Sequence, residues 1–226
     1  MFKGIFSYPQ FHISDESYQT YWRNRKITNR TFNSFQKRRV ALSVPWIETE
    51  STLLDIGCGN GMSLVEVSRR KKMKKLIGVD FSPEVLDMAK QNEIEVIQAD
   101  ISKAYLLKDL PPADYIFMFE VLEHLANSEE LLIWAMDHAT KGVFFSVPNT
   151  GYFKHRLRLL FGRFPLQWRV RPNEHLRFWT VRDMHWWLKH LCPNYILRIY
   201  EGPQFLRKIW PSLFGAGIWV FIPANS

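Results

Sequence analysis

Three carboxylates carry the first sign of chemistry in this chain: Asp55, Asp80 and Asp100 each end a short strand-like run. Asp55 stands inside the stretch Leu53-Leu54-Asp55-Ile56-Gly57-Cys58-Gly59-Asn60-Gly61. A glycine-rich turn directly after a first parallel strand lets a ligand touch the backbone and aims a helix N-terminus into a cleft. The dinucleotide fingerprint G-x-G-x-x-G fails at its third glycine, where Met62 stands, so the close helix packing of nicotinamide enzymes is not provided. A carboxylate at Asp55 suits a ligand with a positive ammonium end better than a pyrophosphate. Asp80 is placed to accept hydrogen bonds from ribose hydroxyls, and Asp100 from an adenine amino group. Capping of helices or turns is the alternative role for Asp80 and Asp100.

Carboxylates at successive strand ends need a scaffold of alternating strands and helices. Residues 52–55 and 75–80 read as strands, with a helix over 62–72 between them that keeps Leu64, Val65 and Ser68 on one side. Ser82 can cap the next helix, Pro83 suits its first position, and Glu84 suits the positive end of its dipole. Residues 94–100, 113–120 and 142–149 give three more strands, and Ser128 caps a helix through Leu131, Leu132, Trp134 and Ala135. Apolar strands alternating with helices indicate a parallel sheet covered on both faces. Right-handed crossovers then give a Rossmann-like, doubly wound order.

The C-terminal part departs from this rhythm. Thr180 and Asp183 resemble a capping box opening a helix through Met184, Trp187 and Leu188. Residues 195–201 and 217–223 read as strands joined by a loop too short for a crossover helix, hence an antiparallel pair at the sheet edge. The expected fold class is α/β, with a mostly parallel seven-stranded sheet and that antiparallel pair. Residues 1–50 form an N-terminal helical cap segment and 51–226 the α/β domain. An insertion over 150–180 follows the fifth strand as a substrate lid. Its amphipathic helix, 152–161, would turn Phe153, Leu157, Leu160 and Phe161 one way.

With 226 residues, 46% hydrophobic and 23% charged, the chain is not disordered, fibrous or collagen-like. Cys58 and Cys192 offer neither a disulfide framework nor zinc-ligand spacing, so a reducing cytoplasmic location and no metal are expected. No signal peptide is read at the start and no apolar run is long enough to span a membrane. The net charge of +8 is concentrated: residues 151–190 hold nine Lys/Arg against two Asp/Glu. These lie among aromatic residues, which suits a phosphate-bearing substrate, nucleic acid or a lipid headgroup. A solvated basic surface with arginine stems on aromatic rings explains the same letters.

The chain resembles a class I S-adenosylmethionine-dependent methyltransferase through LLDIGCGNG, GVDFSPEVLDMAK, IQAD and FEVLEHL. Beyond the fifth strand, SVPNTGYFKHRLRLLFGRFP, HLRFWTVRD and PSLFGAGIWVF are similar to the methionine-biosynthesis protein W and methyltransferase type 11 group. The Glu123-His124 pair follows the general methyltransferase pattern instead of that group's. The resemblance implies that Asp55, Gly57, Cys58 and Gly59 hold the methionine part of S-adenosyl-L-methionine. Asp80 with Phe81 would hold ribose and adenine, Asp100 and Ile101 would flank the adenine, and Glu120 would lie beside the sulfonium. Tyr21, Trp22 and Arg23 would sit on a cap helix over the cofactor.

Methyl transfer from a sulfonium is an in-line displacement that needs no metal, and a base helps when the acceptor is a hydroxyl. His124, after the fourth strand, and His175, in the lid among Arg171, Arg177, Phe178 and Trp179, are the candidate bases. A hydrogen-bonded turn residue is the alternative for His124, and Asn149 is a third polar candidate. Trp168, Trp179, Trp186 and Trp187 near arginines suit an anionic, ring-bearing or sugar-like acceptor; buried tryptophans of an ordinary core explain the same letters better. The expected function is S-adenosylmethionine-dependent methylation of a small-molecule or glycan-type acceptor, yielding S-adenosyl-L-homocysteine. The alternative is a non-catalytic, cofactor-binding protein partner of a biosynthetic enzyme. Nucleic-acid methylation has less support, because FEVLEH replaces the Asp/Asn-Pro-Pro-Tyr that stacks a flipped adenine. A peripheral membrane contact is compatible with the basic segment.

Overall fold

The computed structural model describes residues 32–165 and 175–224. Seven strands form one sheet in the order β3-β2-β1-β4-β5-β7-β6: β1 (Thr52–Ile56), β2 (Lys75–Asp80), β3 (Glu95–Gln98), β4 (Ala113–Phe119), β5 (Ala139–Pro148), β6 (Ile196–Tyr200) and β7 (Gly217–Pro223). The pairs among β1 to β5 are parallel, whereas β7 lies antiparallel between β5 and β6. The order reverses between β1 and β4, which opens a crevice at the carboxyl ends of those two strands. Asp55 and Glu120 stand at that crevice, and Asp80 ends the neighbouring β2.

Strand alternation builds two cores, one on each face. Leu54, Ile56, Val79, Ile116, Met118 and Phe145 pack on one face with helices α4 (Ser128–His138) and α6 (Val181–Leu191). Leu53, Phe117, Phe119, Phe144 and Trp219 pack on the other with α1 (Ser34–Ser43) and α2 (Met62–Ser68). Val40 and Ile47, from the segment before β1, belong to this second core. Trp219 is fully buried and its indole N–H donates to Ser43 Oγ at 2.9 Å, tying α1 to β7.

Several local expectations change. Ser82 precedes α3 (Pro83–Lys90) as its N-cap, but its hydroxyl donates to Glu84 Oε2 instead of accepting a cap bond. Ser128 is the first helical residue of α4, after an Asn127 cap; its hydroxyl donates to the carbonyls of Leu122 and Leu125, tying the helix start to the turn behind it. Thr180 and Asp183 do form the capping box of α6. The connection from β6 to β7 carries two short helices, α7 (Gln204–Ile209) and α8 (Pro211–Phe214), still too little to reverse β7 into the parallel direction.

Helix α5 (Phe153–Leu160) splits the apolar side expected of it, with Phe153 and Leu157 half-buried. Its buried residues are His155 and Arg158, while Leu160 and Phe161 are exposed. Arg158 Nε donates to the Phe164 carbonyl at 2.6 Å, so the guanidinium stem is held inward by the returning chain. Burial, with Arg158 and Lys154 nearby, depresses His155 to about 4, so it is neutral at physiological pH.

Candidate functional site

The glycine turn after β1 is forced by its backbone. Gly57, Gly59 and Gly61 have φ of +71°, +54° and +74°, in the left-handed region that glycine enters without cost. The Gly57 and Cys58 amides donate to the Val79 carbonyl, and Gly59 N–H donates to Asp80 Oδ2 at 2.9 Å. Asp80 Oδ1 accepts from Ser82 N–H at 3.0 Å. One carboxylate therefore joins the turn after β1 to the turn after β2. A Cβ at Gly57 would stand 2.7 Å from Val121 Cγ2. Gly57→Ala is accordingly expected to cost about 1–3 kcal/mol of stability, read as a lower urea midpoint, through strain and overpacking together.

Asp55 lies beneath this turn, only 3% exposed. Burial pushes its carboxyl up to about 8, against a partial pull downward from Arg39 and a further push from Asp80. Desolvation also raises Asp80, opposed by its backbone N–H partners. Cys58 is buried, and burial with the two aspartates holds its thiol well above the usual range. Phe81 presents its ring at 45% exposure. Asp100 accepts from the amide and hydroxyl of Ser102 and pairs with Lys103, a turn-stabilising role that leaves Ile101 half-buried beside it.

Glu120 follows β4 with φ +56°, an unusual conformation for a residue with a Cβ and one that recurs at ligand sites. Its Oε1 accepts from Ser146 Oγ at 2.9 Å and from Tyr200 Oη at 3.5 Å, and pairs with Arg39 at 3.2 Å. Burial and Glu120 push the Tyr200 phenol well above its usual range. Arg39 stacks over the Phe119 ring and donates to Ser146 Oγ. Sequence reasoning missed Arg39, Ser146 and Tyr200. Their only local sign was an arginine on the inward side of a weakly amphipathic helix.

A second cluster forms around one turn of 3-10 helix, Leu122–His124. The Glu123 carbonyl accepts from the amides of Leu176 and Arg177, which fastens the returning arm of the insertion here. His175 thereby meets His124 edge to face, with ring centroids 4.7 Å apart. A cavity of about 180 Å³ lies alongside, lined by His124, Leu176, Ile101 and Ser102 among others. Asn149 is fully buried, bridges to Trp179, and donates to the carbonyls of Ser212 and Gly215, so its role is to join loops. Trp179 and Trp187 are core residues, and Trp187 and Arg177 both donate to Glu129. The aromatic acceptor contact expected from those two tryptophans is thus spent on packing. Trp186 is exposed on α6. Tyr21, Trp22, Arg23, Trp168 and Arg171 lie outside the described residues.

A doubly wound sheet with carboxylates around a glycine turn at its switch point defines an α/β protein that binds a nucleoside-like ligand at the strand ends. Residues 21–191 match the family described as methyltransferase domain, and the chain belongs to that family. It is 28% identical over 113 residues to the mitochondrial ubiquinone biosynthesis O-methyltransferase of Candida albicans, spanning 46% of this chain and 35% of that protein. It is also 28% identical over 153 residues to the bifunctional methionine biosynthesis protein MetXA/MetW of Rhodopirellula baltica, spanning 61% and 24%. The chain thus spans about a third or less of these curated relatives. A SAM-dependent methyltransferase from Archaeoglobus fulgidus superposes with a TM-score of 0.64 at 18% identity, covering 91% of this chain and 100% of that one. Among the described residues no helix is long and apolar enough to cross a membrane.

Proposed function

We propose that this protein is an S-adenosylmethionine-dependent methyltransferase acting on a small-molecule acceptor that carries a hydroxyl. The observation that carries the reading is the Asp55 carboxyl, buried beside a left-handed glycine turn and pushed up to about 8. A desolvated carboxyl in a cleft is a functional-site feature, and a ligand ammonium offsets the cost of ionising it. Asp55, with the backbone of Gly57, Cys58 and Gly59, binds the methionine end. Asp80 retains acceptor capacity for the ribose diol, since a carboxylate offers about four lone-pair sites and the backbone amides of Gly59, Phe81 and Ser82 do not fill them all. Phe81 and Ile101, backed by the Asp100 turn, hold the adenine. Glu120, oriented by Arg39, Ser146 and Tyr200, faces the sulfonium.

S-adenosylmethionine, when bound, supplies a methyl group on a positively charged sulfur. The chain's part is to hold the acceptor oxygen in line with that carbon, and such positioning contributes about 7–11 kcal/mol. His124 and His175 act on the acceptor hydroxyl. The basic excess over 151–190 favours anionic or sugar-like acceptors, and the O-methyltransferase relative is consistent with a hydroxyl. The unpaired, buried cysteines accord with a cytoplasmic setting.

Calorimetric titration with S-adenosylmethionine, S-adenosylhomocysteine and NADH tests the cofactor. Micromolar binding of the first two alone is expected, and no binding of either defeats the proposal. With an acceptor in hand, His175→Ala is expected to lower turnover about 100-fold to 10,000-fold with cofactor affinity unchanged. Full turnover removes His175 from the machinery.

A further inference from the structure

We propose that Glu123, His124 and His175 form a divalent-cation site that binds and activates the acceptor hydroxyl. The cation site stands on geometry alone; its catalytic use rests on the methyltransferase reading above. One carboxylate and two imidazoles bring ligand atoms within 4.8 Å of one another. Atoms sharing one ion at about 2.0–2.2 Å each lie within roughly 4.4 Å, so a small imidazole rotation closes the set.

The fold prepares this arrangement. Glu123 is 1% exposed, while the side chains of His124 and His175 stay partly open. The hydrogen bonds that fix the lid arm run to the backbone carbonyl of Glu123 itself, so the residue that anchors His175 is also its co-ligand. A carboxylate at the bottom of two imidazoles leaves open coordination positions on the solvent side. A closed structural zinc site would present four ligands, usually with cysteine. His124 also lines the 180 Å³ cavity, which reaches Ile101 on the cofactor side. Glu120, assigned to the sulfonium, stands three residues before Glu123, in the turn between β4 and the 3-10 helix. The open face of the cation therefore belongs where acceptor and methyl group meet.

A cation-bound hydroxyl ionises far more readily than a free one, as metal-bound water does. The acceptor O–H loses its proton to solvent and the oxygen lone pair forms the bond to the methyl carbon. The carbon–sulfur bond breaks onto sulfur, quenching the sulfonium and leaving a methyl ether, S-adenosylhomocysteine and one proton. The two histidines then serve as ligands, and the cation takes over the work assigned to a base.

The test is titration of the chelator-treated full chain with Mn²⁺, followed by electron paramagnetic resonance and calorimetry, then with Zn²⁺ and Mg²⁺. One Mn²⁺ or Zn²⁺ per chain is expected. His124→Ala and His175→Ala should each weaken it about 100-fold. His185→Ala, altering a histidine bonded to Tyr195 on α6, should leave it unchanged. Glu123→Gln should also lose the ion, but it alters a buried group, so His175→Ala on the half-exposed arm is decisive, with circular dichroism confirming the fold. No cation bound at about 1 mM, or binding that survives His175→Ala, overturns the site. Cation binding without cofactor binding supports the site and defeats its catalytic use; cofactor binding without cation binding defeats the site and spares the methyltransferase reading.

Discussion

Asp55→Asn is expected to make the protein more stable at pH 8 and unable to hold S-adenosylmethionine. The Asp55 carboxyl sits at about 8 in the folded protein against 3.8 without its surroundings. Between those values the unfolded chain has lost the proton while the folded chain keeps it. Stability therefore falls as pH rises from about 4 towards 8 and levels off above. At about 1.36 kcal/mol per unit, discounted for relaxation around the charge, the asparagine is expected to gain about 2–4 kcal/mol at pH 8. Urea unfolding near pH 5 and at pH 8 checks it: the wild-type midpoint should drop between the two, and the variant's should stay much flatter. The same chemistry couples ligand to proton. An ammonium beside Asp55 favours the carboxylate, so cofactor binding near pH 7 should release a proton and tighten as pH rises towards 8. Equal pH dependence of stability in the two proteins would remove the buried-charge account.

Asp80→Ala is expected to weaken cofactor binding at least about 100-fold. Two charge-assisted hydrogen bonds to a ribose diol are together worth about 3 kcal/mol or more. The same change strips Gly59 N–H and Ser82 N–H of their acceptor, loosening the turns that shape the cleft. Asp80→Asn preserves an oxygen for one of these donors, so its binding loss should be smaller. Calorimetry with S-adenosylhomocysteine separates the variants, and unchanged affinity in Asp80→Ala eliminates the ribose assignment.

The glycine turn and the strand rhythm were readable before any coordinates because they are local. Asp55 to Gly61 need particular backbone angles, and β1, β2 and β4 carry apolar runs that only a covered sheet can use. The antiparallel placement of β7 followed from the length of its connection. Glu123 and His124 were visible as a pair, but nothing local said that His175 would join them. That contact depends on two amide hydrogen bonds, from Leu176 and Arg177, to the Glu123 carbonyl.

Amino-acid order by itself determined the doubly wound architecture, the glycine turn and the carboxylates that close β1 and β2, since turn angles and strand period are properties of neighbouring residues; Asp100, expected to end β3, lies two residues past that strand in a turn of its own. Tertiary structure alone decided which charges meet and which faces are covered. Arg39 could be buried only because Glu120 and Ser146 arrive from two other strand ends to receive it. Helix α5 shows Leu159 and Leu160 to solvent, while Arg158 finds the Phe164 carbonyl inside. Trp179 and Trp187 became core rather than acceptor contacts because the sheet face beneath α6 needed filling. Each outcome is a competition between distant groups for one buried position, and that competition is settled when the chain closes on itself.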